Sequence, residues 1–241
     1  MDLGIAGRVA LVAASSKGLG RASADALAAE GARVVITARG EEALLRAEAE
    51  LRAAGAEVHA VQVDVTAPDA AAVVVAETLG RFEKLDIVVV NAGGPPPGRA
   101  LELGADALQL GLEASLLSSV RLITEAVPHL RAQGWGRICC ISSYSIVQAI
   151  PTLALSNMAR SGLRAWAKSA AYDLRGSGVT LNLACPGPHA TERAVALGIA
   201  DREGVGDPAD FGKVVAFLCS EPARNVSGAA IVVDGGETLA L

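Results

Sequence analysis

No stretch of this sequence is apolar for long enough to span a bilayer. Apolar runs such as "IVVV" at 87–90 are strand-length, whereas a membrane helix needs about 20 apolar residues. An apolar leader is also missing. The chain opens "MDLGIAGR", with an early acid, so no signal peptide is expected. Long basic runs are absent too: no string of Lys and Arg exceeds two residues, and the net charge is −5. That balance argues against nucleic acid or an anionic membrane as partner. Cysteine is sparse. Cys139, Cys140, Cys185 and Cys219 sit in apolar contexts without metal-ligand spacing, so they read as reduced core residues. No metal site and a cytoplasmic location are expected.

What is there is regular. The 241 residues are 51% apolar and 20% charged, which suits one domain with a sizeable core over residues 1–241. Short β-branched runs occur at 8–13, 32–37, 57–63, 85–90, 137–142, 179–184 and 229–233. Ala/Leu-rich stretches of helical spacing separate them. One carries Leu112, Leu116, Ser119, Ile123, Val127 and Leu130 as a single stripe. Strands apolar on nearly every residue and alternating with helices predict a doubly wound α/β domain. This is a Rossmann fold, with about seven parallel strands and helices on both faces. "GGPPPG" at 93–98 reads as a loop, not a boundary.

The first run leads into "AASSKGLGRA" (13–22) and then a helix. Residues Ser15, Ser16, Lys17, Gly18, Leu19 and Gly20 thus stand where a pyrophosphate meets helix N–H groups and a favourable dipole. The next strand ends "VVITARG". An acid just past its tip would accept bonds from the ribose hydroxyls of NAD. Arg39 stands there instead and, with Lys17, suits the 2′-phosphate of NADP. NADP(H) is therefore expected over NAD(H).

Together "AASSKGLG", "DVT" (64–66), "NAGG" (91–94), "ISS" (141–143), "PGP" (186–188) and "VDGG" (233–236) resemble the short-chain dehydrogenase/reductase family. The closest flavour is its β-ketoacyl-carrier-protein reductase branch. The resemblance covers nearly the whole chain. It implies that Asp64 and Val65 flank the adenine, and that Asn91, Ala92 and Gly93 line the nucleotide. It places Pro186 and Gly187 beside the nicotinamide, with Thr191 on its carboxamide. The family's usual Thr-Gly opening is Ala13-Ala14 here. Ala adopts positive φ poorly, so a local adjustment of the turn is expected.

The family's catalytic set is Asn, Ser, Tyr and Lys. By position, Ser143 matches the Ser, Ser115 replaces the Asn, Ser156 the Tyr and Arg160 the Lys. Arg160 keeps a charge and donors for ribose hydroxyls. Ser156 is a poor proton donor near neutrality and shorter than a phenol. Tyr144, next to Ser143, and His189, after "PGP", are the candidate substitutes; a packing role for the first and a solvated loop for the second are the plainer readings.

The resemblance also implies a substrate lid at about 188–206, shorter here than in related reductases, so weak exclusion of water is anticipated. The expected activity is NADP(H)-dependent reduction of a carbonyl, a 3-oxoacyl thioester being one candidate. An NADP(H)-binding sensor or partner subunit with little turnover is the alternative. The resemblance also implies a homodimer or homotetramer, with long helices near 112–132 and 156–176 and the apolar tail "TLAL" (238–241) as interface candidates.

Overall fold

The computed structural model describes residues 1–240. Seven strands form one all-parallel sheet: β1 (Val9–Val12), β2 (Arg33–Ala38), β3 (Val58–Gln62), β4 (Ile87–Val90), β5 (Gly136–Ile141), β6 (Val179–Pro186) and β7 (Ala230–Val233). Each lies within about two residues of its predicted run. The sheet order is β3-β2-β1-β4-β5-β6-β7. The chain winds outward from β1 to β3, then restarts beside β1 at β4 and winds the other way. Such a reversal opens a crevice at the strands' C-terminal ends, between β1 and β4.

The continuous apolar runs are explained by burial on both faces. Alternate residues of one strand serve opposite cores: Val88 and Val90 join one cluster, Ile87 and Val89 the other. The first cluster is completed by α3 (Ala70–Phe82), α5 (Ser118–Ala132) and α6 (Ala154–Asp173). The second is completed by α1 (Gly18–Ala29), α2 (Glu41–Ala53) and α8 (Pro208–Leu218). All four cysteines are free and buried, Cys140 and Cys185 in the first core and Cys139 and Cys219 in the second. Burial pushes the Cys185 thiol up to about 12, which keeps it protonated and inert. No helix among the described residues is long and apolar enough to cross a membrane.

The stripe at 112–130 is not one continuous α-helix. A helix α4 (Ala105–Leu112) passes through a π-helical segment, Glu113–Leu117, into α5. The hydroxyls of Ser118 and Ser119 donate to the carbonyls of Ala114 and Ser115, at 2.9 and 3.1 Å, and such back-bonding accompanies a locally widened turn. Ser119, Ile123 and Leu130 are buried, whereas Leu112, Leu116 and Val127 are only half-buried. Of the apolar tail, Leu239 is 86% exposed, and Leu241 lies outside the described residues.

The helix that begins at the crevice, α1, is seated against α8. A Cβ at Gly212 would lie 2.3 Å from the Ala22 carbonyl oxygen, so the two backbones touch. Gly212→Ala must push α1 outward. The expected loss is about 1–3 kcal/mol of stability, read as a lower denaturant midpoint, together with weaker dinucleotide binding in a fluorescence titration.

Candidate active site

The glycine turn after β1 is held from three sides. Ala14 takes φ +47°, the left-handed region, so the turn keeps its shape and the residue carries strain instead. This corrects the expected adjustment. Two hydrogen bonds hold the strained residue in place. Its N–H donates to Thr37 Oγ1 at 3.1 Å, and its carbonyl accepts from Asn91 Nδ2 at 3.0 Å. Gly20 packs under it, where a Cβ would approach that carbonyl oxygen to 2.4 Å.

Several of the residues expected at the cofactor site turn their side chains into the protein. The Ser15 hydroxyl turns inward, donating to the Val12 carbonyl at 2.7 Å and accepting from the Thr37 N–H at 3.1 Å. Leu19 and Val65 pack against the two cores, because apolar side chains at the crevice floor gain more from burial than from a polar ligand. Ser16 is half-buried and Gly18 opens α1. The N-terminus of α1 has no side-chain cap and no acid in its first turn. Its amides are therefore unclaimed by side chains, which fits a pyrophosphate. Asn91, Ala92 and Gly93 follow β4 along the crevice edge.

Arg39 sits at the tip of β2 as expected, largely exposed, 3.6 Å from Asp64. Asp64 accepts from the Thr66 N–H and hydroxyl at 3.0 and 2.8 Å. Partial burial pushes its carboxyl up, but Thr66 and Arg39 outweigh this and hold it below the usual range. An exposed pair of this kind is weak, so a phosphate can take Arg39 over. Lys17 is already engaged, by Glu192 of α7 (Glu192–Ala196). It pairs with the lid rather than standing free for a phosphate, because Glu192 is the nearest opposite charge.

Ser143 lies just past β5. Its oxygen accepts from the Ser145 N–H at 3.1 Å, leaving its O–H for a ligand. Arg160 reaches the same place from α6. Its Nη1 donates to the carbonyls of Ile141 and Ser142, both at 2.8 Å, and its Nε to Ser156 Oγ at 3.2 Å. Burial drives the Arg160 pKa down to about 10, with nearby Cys185 opposing and Arg193 adding to the shift. It stays charged at neutral pH. Ser156 is 7% exposed, and its Oγ is taken up as the acceptor for Arg160 Nε. Ser115 occupies the middle of the π segment, 5% exposed. Its hydroxyl has no partner among the described residues.

Neither substitute proton donor is poised. Burial and the carboxylates of Glu237 and Asp234 push the Tyr144 phenol up, partly opposed by Arg202, which weakens it as an acid. His189 is buried rather than solvated. Its Nδ1 lies 3.0 Å from the Gly187 carbonyl, and its ring meets Phe211 edge-on.

The lid is short but tethered. Ala190 and Gly206 donate to the Gly206 and Pro188 carbonyls, both at 2.9 Å, closing its base. Thr191 caps α7 by accepting from the Ala194 N–H, and its methyl lies beside Gly18. Arg193 crosses to the other wall, donating to the Pro95 carbonyl at 2.8 Å. Glu192 and Arg193 went unremarked in the sequence. Their signal was two opposite charges directly after Thr191. Pro186 ends β6 paired with Val233, and the Gly187 N–H donates to the Val233 carbonyl at 2.9 Å.

A family model described as enoyl-(acyl carrier protein) reductase matches residues 13–238. The chain belongs to the short-chain dehydrogenase/reductase family. It is 33% identical over 238 residues to a 3-oxoacyl-[acyl-carrier-protein] reductase of Synechocystis sp., covering 95% of this chain and 96% of that one. It is also 33% identical to a cis-4-hydroxycyclohexanecarboxylate dehydrogenase of Sinomonas cyclohexanicum, covering 99% of each. L-sorbose reductase from Gluconobacter frateurii, solved with NADPH and L-sorbose, superposes with a TM-score of 0.92 at 30% identity. That match covers 99% of this chain and 100% of the other. Within this short-chain dehydrogenase/reductase, Ala14 is the strained point of the phosphate turn. Ala14→Gly is expected to raise stability by about 1 kcal/mol, measured as a higher denaturant midpoint.

Proposed function

We propose that this protein is an NADP(H)-dependent oxidoreductase that reduces a carbonyl and draws its proton from water rather than from a tyrosine. The reading is carried by the uncapped N-terminus of α1 with Arg39 at the tip of β2 beside it. Anion-binding amides plus a guanidinium where an acid would favour NAD suit a dinucleotide with a 2′-phosphate. The NADPH complex of the 30%-identical sorbose reductase supports the same choice.

The bound nicotinamide would supply the hydride to the carbonyl carbon. The remaining work falls to this chain. The Ser143 O–H donates to the carbonyl oxygen. Arg160, fixed on the end of β5, offsets the negative charge that gathers there, and its Nη2 serves the nicotinamide ribose. Ser156 is engaged by Arg160, Tyr144 is weakened as an acid and His189 is held against Gly187 and Phe211, which leaves water as the proton source. A water in the space a phenol would fill delivers the proton.

A 3-oxoacyl thioester is one carbonyl of this kind, and the Synechocystis relative is named for it. The burial of Ser156 and its bond to Arg160 favour one second reading, an NADP(H)-binding sensor or partner subunit without turnover.

Purified protein should oxidise NADPH with members of a broad ketone and 3-oxoacyl panel. Ser143→Ala should lower kcat by about 100-fold, and Ser156→Ala by less than about 10-fold, since no proton passes through it. NADPH binding without oxidation across the panel selects the sensor reading. Arg39→Asp should cut the NADPH-over-NADH preference in kcat/KM at least about 10-fold.

A further inference from the structure

We infer that the carbonyl substrate of this site carries a carboxylate, and that Arg193 of the lid is the group that holds it. The inference deepens the reductase reading and rests on it for the position of the reacting carbonyl.

The argument starts from unmatched charge. Around the crevice, cations are paired where an acid is in reach: Lys17 with Glu192, Arg39 with Asp64, Arg202 with Glu237. Arg193 and Arg160 stand on the two walls without such a partner, as do the more peripheral Arg99 and Arg164. Neither Arg193 nor Arg160 has a carboxylate within ion-pair distance among the described residues, and both are anchored on carbonyl oxygens. A carbonyl oxygen fixes a guanidinium without neutralising it, so the positive charge remains for a ligand. Nearby acids are otherwise engaged. Asp234 accepts from the N–H groups of Gly236 and Thr238, at 3.0 and 2.8 Å, and Glu237 pairs with Arg202.

The donors left over point the same way. Of the five N–H groups of a guanidinium, Arg160 uses its Nε and Nη1 groups on Ser156, Ile141 and Ser142. Arg193 gives a bond to Pro95 alone and keeps the rest. It is also held flat: a Cβ at Gly94 would meet its Nη2, Cζ and Nε at 3.3–3.4 Å. The guanidinium therefore lies against the backbone of the loop after β4 as a fixed fork. Such a planar, pre-placed fork matches a carboxylate. The Arg193 charge is felt at Arg160, so an anion between the walls relieves both.

The test uses the NADPH complex of the full chain and three matched substrates: a 3-oxo acid, its methyl ester and its N-acetylcysteamine thioester. The acid should exceed the ester in kcat/KM by at least about 10-fold. Arg193→Gln should cut that acid-to-ester ratio by about 10–100-fold, and Arg193→Lys should restore part of it. NADPH dissociation constants and melting curves for each variant separate this effect from misfolding. An acid-to-ester ratio at or below one overturns the inference. So does a ratio unchanged by Arg193→Gln, including the case where NADPH binding weakens about 10-fold and Arg193 serves a cofactor phosphate instead. If no carbonyl is reduced, the reductase reading fails by itself. The inference then stands if the acid quenches bound NADPH fluorescence at lower concentration than the ester, and falls if it does not.

Discussion

One hydrogen bond at the reversal of the sheet organises the cofactor side of this molecule. Asn91, at the end of β4, donates to the carbonyl of Ala14, at the end of β1. The two strands belong to opposite halves of the winding and are joined in register at Val12 and Val89. Beyond that pair the ladder stops and the crevice begins. The bond therefore closes the last gap before the opening. It holds Ala14 in a conformation that alanine resists, and so aims the following amides at one point.

The catalytic side is organised by a different means. Arg160 grips two successive carbonyls where β5 ends. This grip ties α6 to the sheet at the level of Ser143. It also removes three of the donors a guanidinium would offer a ligand. The grip thus fixes the strand tip and leaves only the Nη2 donors of Arg160 free. Ser156 belongs to this grip as the acceptor for Nε.

The seven strands, their parallel arrangement and the glycine turn between β1 and α1 were legible because each depends on local pattern. β-Branched runs, glycine spacing and a strand-turn-helix order are all written within about thirty residues of chain. Less legible was where side chains point. Ser15 and Leu19 belong to the right turn, yet one braces β2 and the other enters the core. The π segment at Glu113–Leu117 was hidden because Leu112, Leu116 and Ser119 keep helical spacing in sequence while the backbone widens by one residue. His189 looked like a solvated loop residue since nothing nearby in sequence announces Phe211. The contacts of Glu192 and Arg193 are made across the crevice, with partners far away along the chain, and no local pattern encodes them.

The segment between Pro188 and Gly206 is closed on itself. Residues 188–190 and 206 are stapled to each other by backbone bonds, so the intervening residues form a loop whose ends already meet and whose closure entropy is met locally. Its outer fastenings differ in kind. Lys17 with Glu192 is a solvent-exposed ion pair that dissolved salt screens, whereas Arg193 on the Pro95 carbonyl is a hydrogen bond in a partly buried setting. Salt therefore loosens one side of the loop more than the other.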